Sequence, residues 1–151
     1  MAIPKVMGTE IEYGITVKND RDFDPISSCV LLVNSYREES TAKILWDYDQ
    51  ENPLADARGF QVEGEKYTPN QQENIARNKT LANGARYYVD HAHPEYSCPE
   101  VTRARDLVIH EKAGERIVEQ SRRDANRVLP PGTQMLIYKN NSDRKGNSYG
   151  S

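Results

Sequence analysis

The sequence has no run near the roughly 18 consecutive apolar residues that a bilayer-spanning helix needs, and its mean hydropathy is −0.84. The opening Met1-Ala2-Ile3-Pro4-Lys5 lacks the apolar core of a secretion signal. Cysteine is scarce: Cys29 and Cys98 cannot build a disulfide framework or a four-ligand zinc site. These absences point to no membrane and to the cytoplasm, where thiols stay reduced. A basic excess is missing too. The 20 Lys and Arg stand against 23 Asp and Glu, a formal net charge of −3, whereas a nucleic-acid partner calls for a basic patch on one face. Internal repeats and low-complexity tracts are absent, so repeat architectures are excluded. Only 36% of the 151 residues are hydrophobic, which predicts a modest core and long loops.

What is present is a set of short alternating segments. Residues 5–18 (KVMGTEIEYGITVK) alternate as a strand does. Met7, Thr9, Ile11, Tyr13, Ile15 and Val17 fall on one face, and Gly8, Glu10, Glu12 and Gly14 on the other. Asn19 to Asp24 is a polar turn, and Pro25 suits the first turn of a helix over Ile26–Tyr36, with a buried strand as the alternative. Residues 38–80 carry acids, amides, Pro53, Gly59, Gly64 and Pro69 with little periodicity, and are expected to form a mobile insertion. The apolar knot Ile44-Leu45-Trp46 would dock it transiently. Asn83-Gly84 is a turn signal, followed by a strand over Ala85–Asp90. Pro94 interrupts the chain, and Pro99 fits the first turn of a helix over about residues 100–128. Leu107, Val108, Ile117, Val118, Ala125 and Val128 would form its buried stripe. Pro130-Pro131-Gly132 ends it, a third strand covers Gln134–Lys139, and the polar tail Asn140–Ser151 adds no closing element.

Two segments concentrate chemistry. In Gly8-Thr9-Glu10-Ile11-Glu12-Tyr13-Gly14, two carboxylates share a strand face and need a cation, an arginine or water opposite them. Hard oxygen ligands suit magnesium, and the flanking glycines would let a nucleotide approach the backbone. An ordinary solvated strand face fits the same pattern. In Arg86-Tyr87-Tyr88-Val89-Asp90-His91-Ala92-His93-Pro94-Glu95-Tyr96, a cation, phenols, two imidazoles and two carboxylates lie within eleven residues. Arg86 and Asp90 on one strand face would clamp a phosphate and position a nucleophile or base, or form a plain surface ion pair. His91 and His93 have no third soft ligand at useful spacing, so zinc is not expected. Cys98 reads as a small packing residue rather than an activated nucleophile. Spacing alone suggests a carboxylate-rich metal site but not a reaction.

The run GTEIEYGI at 8–15, the run NGARYYVDHAHPEYSCPEV at 83–101 and the closing NNSDRKGNSYGS at 140–151 together resemble the Pup ligase and depupylase family, and within it the depupylases. The Asp-His-Ala-His-Pro-Glu order is the depupylase one; the ligase pattern has one more residue between the aspartate and the histidine-proline pair. The resemblance implies an α+β fold like that of glutamine synthetase, a curved antiparallel sheet backed by helices that cradles ATP and metal. It implies Glu10, Tyr88 and Glu95 as magnesium (Mg2+) ligands and Asp90 as the catalytic carboxylate, nucleophile or base toward water. The Gly8, Thr9, Glu10, Ile11 and Glu12 backbone, with Arg86, Ser97 and Cys98, would lie along the nucleotide. Pup and pupylated proteins would be the partners. The expected activity is ATP-dependent hydrolysis of the Pup–lysine isopeptide bond and deamidation of Pup's C-terminal glutamine. The alternatives are a Pup–protein ligase or an inert fragment, because the family continues beyond Ser151. Residues 1–151 would then be the N-terminal part of a single larger catalytic domain.

Overall fold

Strand β1 (Glu10–Lys18) forms where the alternation is cleanest: Ile11, Tyr13, Ile15 and Val17 are buried, while Glu10, Thr16 and Lys18 are exposed. The computed structural model describes residues 5–37, 71–139, 141–142 and 148–149. Helix α1 (Pro25–Ser35) follows. Asp24 caps it by accepting from the Ser27 backbone N–H at 2.8 Å, and Pro25, whose missing N–H costs nothing in a first turn, sits just inside its start. The helix, not the alternative buried strand, is what forms.

Helix α2 (Gln71–Arg77) and strand β2 (Asn78–Thr80) occupy residues that the sequence pattern assigned to the insertion. The rest of that expected insertion, including Ile44-Leu45-Trp46, lies outside the described residues. Two short segments escape a periodicity test because neither is long enough to display a period; tertiary pairing holds them instead. Strands β3 (Arg86–Asp90) and β4 (His93–Ser97) form a hairpin, preceded by the Asn83-Gly84 turn. Gly84 takes φ +84 there, a conformation glycine adopts without steric cost.

Strand β4 corrects an expectation. Pro94 suggested a break, yet it lies in an interior strand of a five-stranded sheet ordered β2-β3-β4-β1-β5, where β5 is Gln134–Lys139. The pairing explains the tolerance. β4 meets β1 only from Glu10↔Ser97 to Glu12↔Glu95, so Pro94, which has no N–H to donate, falls just past the end of that ladder. All the pairings are antiparallel.

The long helix α3 runs from Ala104 to Asn126. It starts later than expected, because Val101 first pairs with Met7 across two backbone hydrogen bonds of 2.8 Å. Its buried line is Gly114, Val118, Ser121 and Ala125; Val108 and Val128, expected inside, are exposed. The tail is not wholly irregular, since β6 (Asn141–Ser142) pairs with β7 (Ser148–Tyr149). Helices α1 and α3 pack together over one face of the sheet. Ile11, Tyr87 and Tyr96 meet Leu32, Val33 and Val118 in that core, each large aliphatic side chain contributing about 1.5–3 kcal/mol by leaving water. The class is α+β, and the other sheet face is left to polar residues.

Candidate active site

Strand register builds the site. Residues directly opposite on paired strands share a face, so Arg86, Ser97 and Glu10 form one row and Tyr88, Glu95 and Glu12 the next. Asp90 and His93 close the β3–β4 hairpin in the row beyond. These rows lie opposite the face that α1 and α3 cover. The sequence alone placed Glu10 and Glu12 on one face; it could not say which of them would meet Glu95, because register across strands 80 residues apart is a tertiary property.

Carboxylate oxygens of Glu12, Asp90 and Glu95 lie within 4.8 Å of one another. Burial, and then the nearby Asp90, Glu10 and Glu12 charges, push Glu95 up to about 8, opposed by a hydrogen bond with the Tyr88 hydroxyl. Glu12 is also raised, by burial first and Asp90 second, while His91 acts in the opposite direction. Three acids crowded this closely, with oxygen atoms as the donors, fit a hard divalent cation that would supply the missing positive charge. Burial holds the Tyr88 phenol firmly protonated, so it meets Glu95 as a neutral donor. Ser97 Oγ donates to Glu10 Oε1 at 3.3 Å and lies 3.4 Å from the Tyr88 hydroxyl.

Beside this cluster is a cavity of about 820 Å³ lined by Gly8, Thr9, Glu10, Arg86, Ser97 and Cys98 among others. These are six of the eight residues expected along the nucleotide. The other two, Ile11 and Glu12, line a smaller adjoining cavity of about 570 Å³ with Glu95. The Ile11 side chain is core, so only its backbone can face a ligand. Arg86 is oriented rather than loose. Its Nε and Nη2 donate to Asn78 Oδ1 at 3.0 and 2.7 Å, and its guanidinium lies 3.7 Å from the Tyr88 ring centroid, a cation–π geometry. Cys98 Sγ accepts from the Thr9 backbone N–H at 3.1 Å and from its hydroxyl at 3.3 Å, tying the Gly8–Thr9 backbone to β4.

Arg86 and Asp90 do not make one clamp, since they stand at opposite ends of β3, about 13 Å apart along an extended chain. Arg86 faces the larger cavity, and Asp90 the carboxylates. Asp90 Oδ1 is instead 3.0 Å from His91 Nδ1. His91 is not strand-borne, as a zinc pair with His93 would require; it sits in the hairpin turn at φ +48. Nothing in residue spacing singles it out, because the contact arises from the turn conformation.

The chain is 48% identical over 153 aligned residues to a depupylase of Acidothermus cellulolyticus, covering 97% of this chain and 30% of that protein. It is 44% identical to a Pup deamidase/depupylase of Mycolicibacterium smegmatis, covering 97% of this chain and 31% of that one. A Pup–protein ligase of Kineococcus radiotolerans matches at 47% over 77 residues, 48% of this chain and 17% of the ligase. The chain thus spans about 30% of the length of the curated depupylases it matches. Among solved structures, the complex between the prokaryotic ubiquitin-like protein Pup and its ligase PafA superposes with a TM-score of 0.62 at 26% identity, over 96% of this chain and 24% of that one. The fold is therefore the glutamine-synthetase-like α+β one that the resemblance implied. With the polar sheet face, its acids and this likeness all on the same strands, and residues 5–151 matching the model described as Pup-ligase protein, the chain belongs to the Pup-ligase family.

Proposed function

We propose that the protein carrying this chain is an ATP- and magnesium-dependent depupylase. It hydrolyses the isopeptide bond between Pup and substrate lysines, and it deamidates Pup's C-terminal glutamine. The observation that carries the chemistry is Asp90 at the rim of the carboxylate cluster, with Glu12 and Glu95 oxygens within 4.8 Å. The naming of relatives with 44–48% identity as depupylases supports the choice of substrate.

Exposure separates the roles of the acids. Glu95 is only 3% exposed, which suits a cation ligand held beneath the substrate. The Asp90 side chain is 35% exposed, which suits the group that meets the scissile carbonyl, as nucleophile or as base toward water. A positioned base of this kind contributes about 10²–10⁴-fold. Glu10, Tyr88 and Glu95 hold the magnesium in this reading, and the Glu12 carboxylate joins them. Gly8–Glu12, Arg86, Ser97 and Cys98 line the nucleotide. Magnesium, when bound, would supply the positive charge that the crowded carboxylates lack and would polarise the scissile carbonyl. Residues 1–151 form the N-terminal part of one larger catalytic domain. None of the described helices is long and apolar enough to cross a membrane, and the free thiols of Cys29 and Cys98 suit a cytoplasmic protein.

The second reading is ligation, favoured by the match to the Kineococcus ligase over 77 residues. Product analysis with the full-length protein, ATP and magnesium separates the two. Release of Pup from a purified conjugate, and conversion of a C-terminal glutamine of Pup to glutamate, are expected. New conjugates accompanied by ADP would establish the ligase instead.

A further inference from the structure

Resting on the reading of Arg86 as a residue along the nucleotide, we propose that Asn78 is the positioning residue that aims the Arg86 guanidinium at it. Two restraints act on that planar group. Its Cζ lies 3.7 Å from the Tyr88 ring centroid, which fixes the plane but leaves the group able to turn within it. Asn78 Oδ1 removes that freedom by accepting from Nε at 3.0 Å and from Nη2 at 2.7 Å. With that edge taken, the edge bearing Nη1 has one direction, and Arg86 lines the cavity of about 820 Å³. A guanidinium recognises phosphate oxygens through a planar fork, so its direction matters as much as its charge.

The acceptor is itself held. Asn78 Nδ2 donates to the Asn74 backbone carbonyl at 3.3 Å, so the amide turns its oxygen, not its nitrogen, toward Arg86. Asn74 and Asn78 are both buried, and Asn78 stands at the join of α2 and β2. That join is tied to α1 and its capping residue. Asn34 Nδ2 donates to the Ala76 carbonyl at 2.6 Å, and Lys79 Nζ to the Tyr36 carbonyl at 2.6 Å. Asparagine is a poor strand residue, and β2 is only three residues long, so strand propensity gives no reason for an amide here. Asn78 falls among the residues that composition assigned to the insertion, so the sequence pattern did not single it out.

The test measures ATP affinity by calorimetry in the full-length protein with magnesium, alongside the melting temperature that shows each variant folded. Asn78→Ser removes the acceptor and leaves room for water beside the buried guanidinium. Outer partners that orient ligating side chains are worth about 10–100-fold, so this variant should bind ATP about 10-fold more weakly. Arg86→Met should also weaken binding. Adding Asn78→Ser to it should cost nothing further, because Asn78 acts through Arg86. Arg86→Lys keeps the charge without the fork that Asn78 holds. It should lose affinity too, and it tests the proposal even where the serine variant does not fold. Wild-type affinity in Asn78→Ser or in Arg86→Lys, or a full further loss from Asn78→Ser in the Arg86→Met background, would overturn the proposal. Wild-type affinity in Arg86→Met would instead refute the placing of Arg86 at the nucleotide, on which the proposal rests, so the two failures are distinguishable.

Discussion

Glu95 is where burial, charge and the proposed metal site meet in one side chain. Its neighbours on β1 and β3 are carboxylates and a phenol, and together with burial they push it up to about 8, against an ordinary 4.5. Below about pH 4.5 the folded and unfolded chains both keep this proton, and its contribution to stability is complete. Between 4.5 and 8 the unfolded chain releases the proton while the folded one retains it, so stability falls as pH rises through that window. With a chelator present, the melting temperature of the full-length protein should therefore decline from pH 5 to pH 8, and Glu95→Gln should flatten the decline. Magnesium must displace the proton to use the carboxylate. Calorimetric titration near pH 7, in two buffers of different ionisation heat, should then report protons released on magnesium binding, and equal heats in both would remove Glu95 from the ligand set. Much of this site was legible from the sequence, because period-two alternation alone places Arg86, Tyr88 and Asp90 on one face. The part taken by Glu12 was not, since a two-residue shift of register would have put Glu10 opposite Glu95 instead.

At the scale of elements, α3 and β4 are fitted to one another at a single point. A Cβ added to Gly114 would stand 2.5 Å from the Tyr96 ring, and that ring is fully buried with its hydroxyl accepting from Asn83 Nδ2 at 3.0 Å. Replacing a mid-helix glycine by alanine normally gains about 1 kcal/mol of helix propensity, whereas overpacking a rigid core costs about 1–3 kcal/mol. The clash should win. Gly114→Ala is expected to lower the melting temperature, measured by circular dichroism, and a rise would show that α3 can move off the sheet. The strong strands and the two longer helices could be read in advance from periodicity and from Asp24-Pro25 at a helix start. β4 could not, because Pro94 argues against a central strand, and only the register shows that it falls just past the end of the ladder to β1. α2 and β2 are too short to carry a period, and the helix stripe was misplaced at Val108 and Val128 because hydrophobicity alone does not say which side of a helix faces the sheet.

For the whole molecule, the arrangement divides labour between the two faces of one sheet. Helices α1 and α3 cover the apolar face and fix the strands, while the opposite face gathers Glu12, Asp90 and Glu95, a set of acids that fits a divalent cation. The same strands supply the neighbouring cavity of about 820 Å³, so nucleotide, metal and catalytic carboxylate are proposed to share one rigid support. The most direct test is Asp90→Asn in the full-length protein, an isosteric change that removes the charge and the basic oxygen but leaves the cavity intact. Cleavage of a purified Pup conjugate with ATP and magnesium should fall by at least about 10²-fold, while ATP affinity measured by calorimetry stays near that of the wild type. Turnover retained by the Asn variant, with the wild type cleaving normally, would contradict the assignment of Asp90 as the catalytic group.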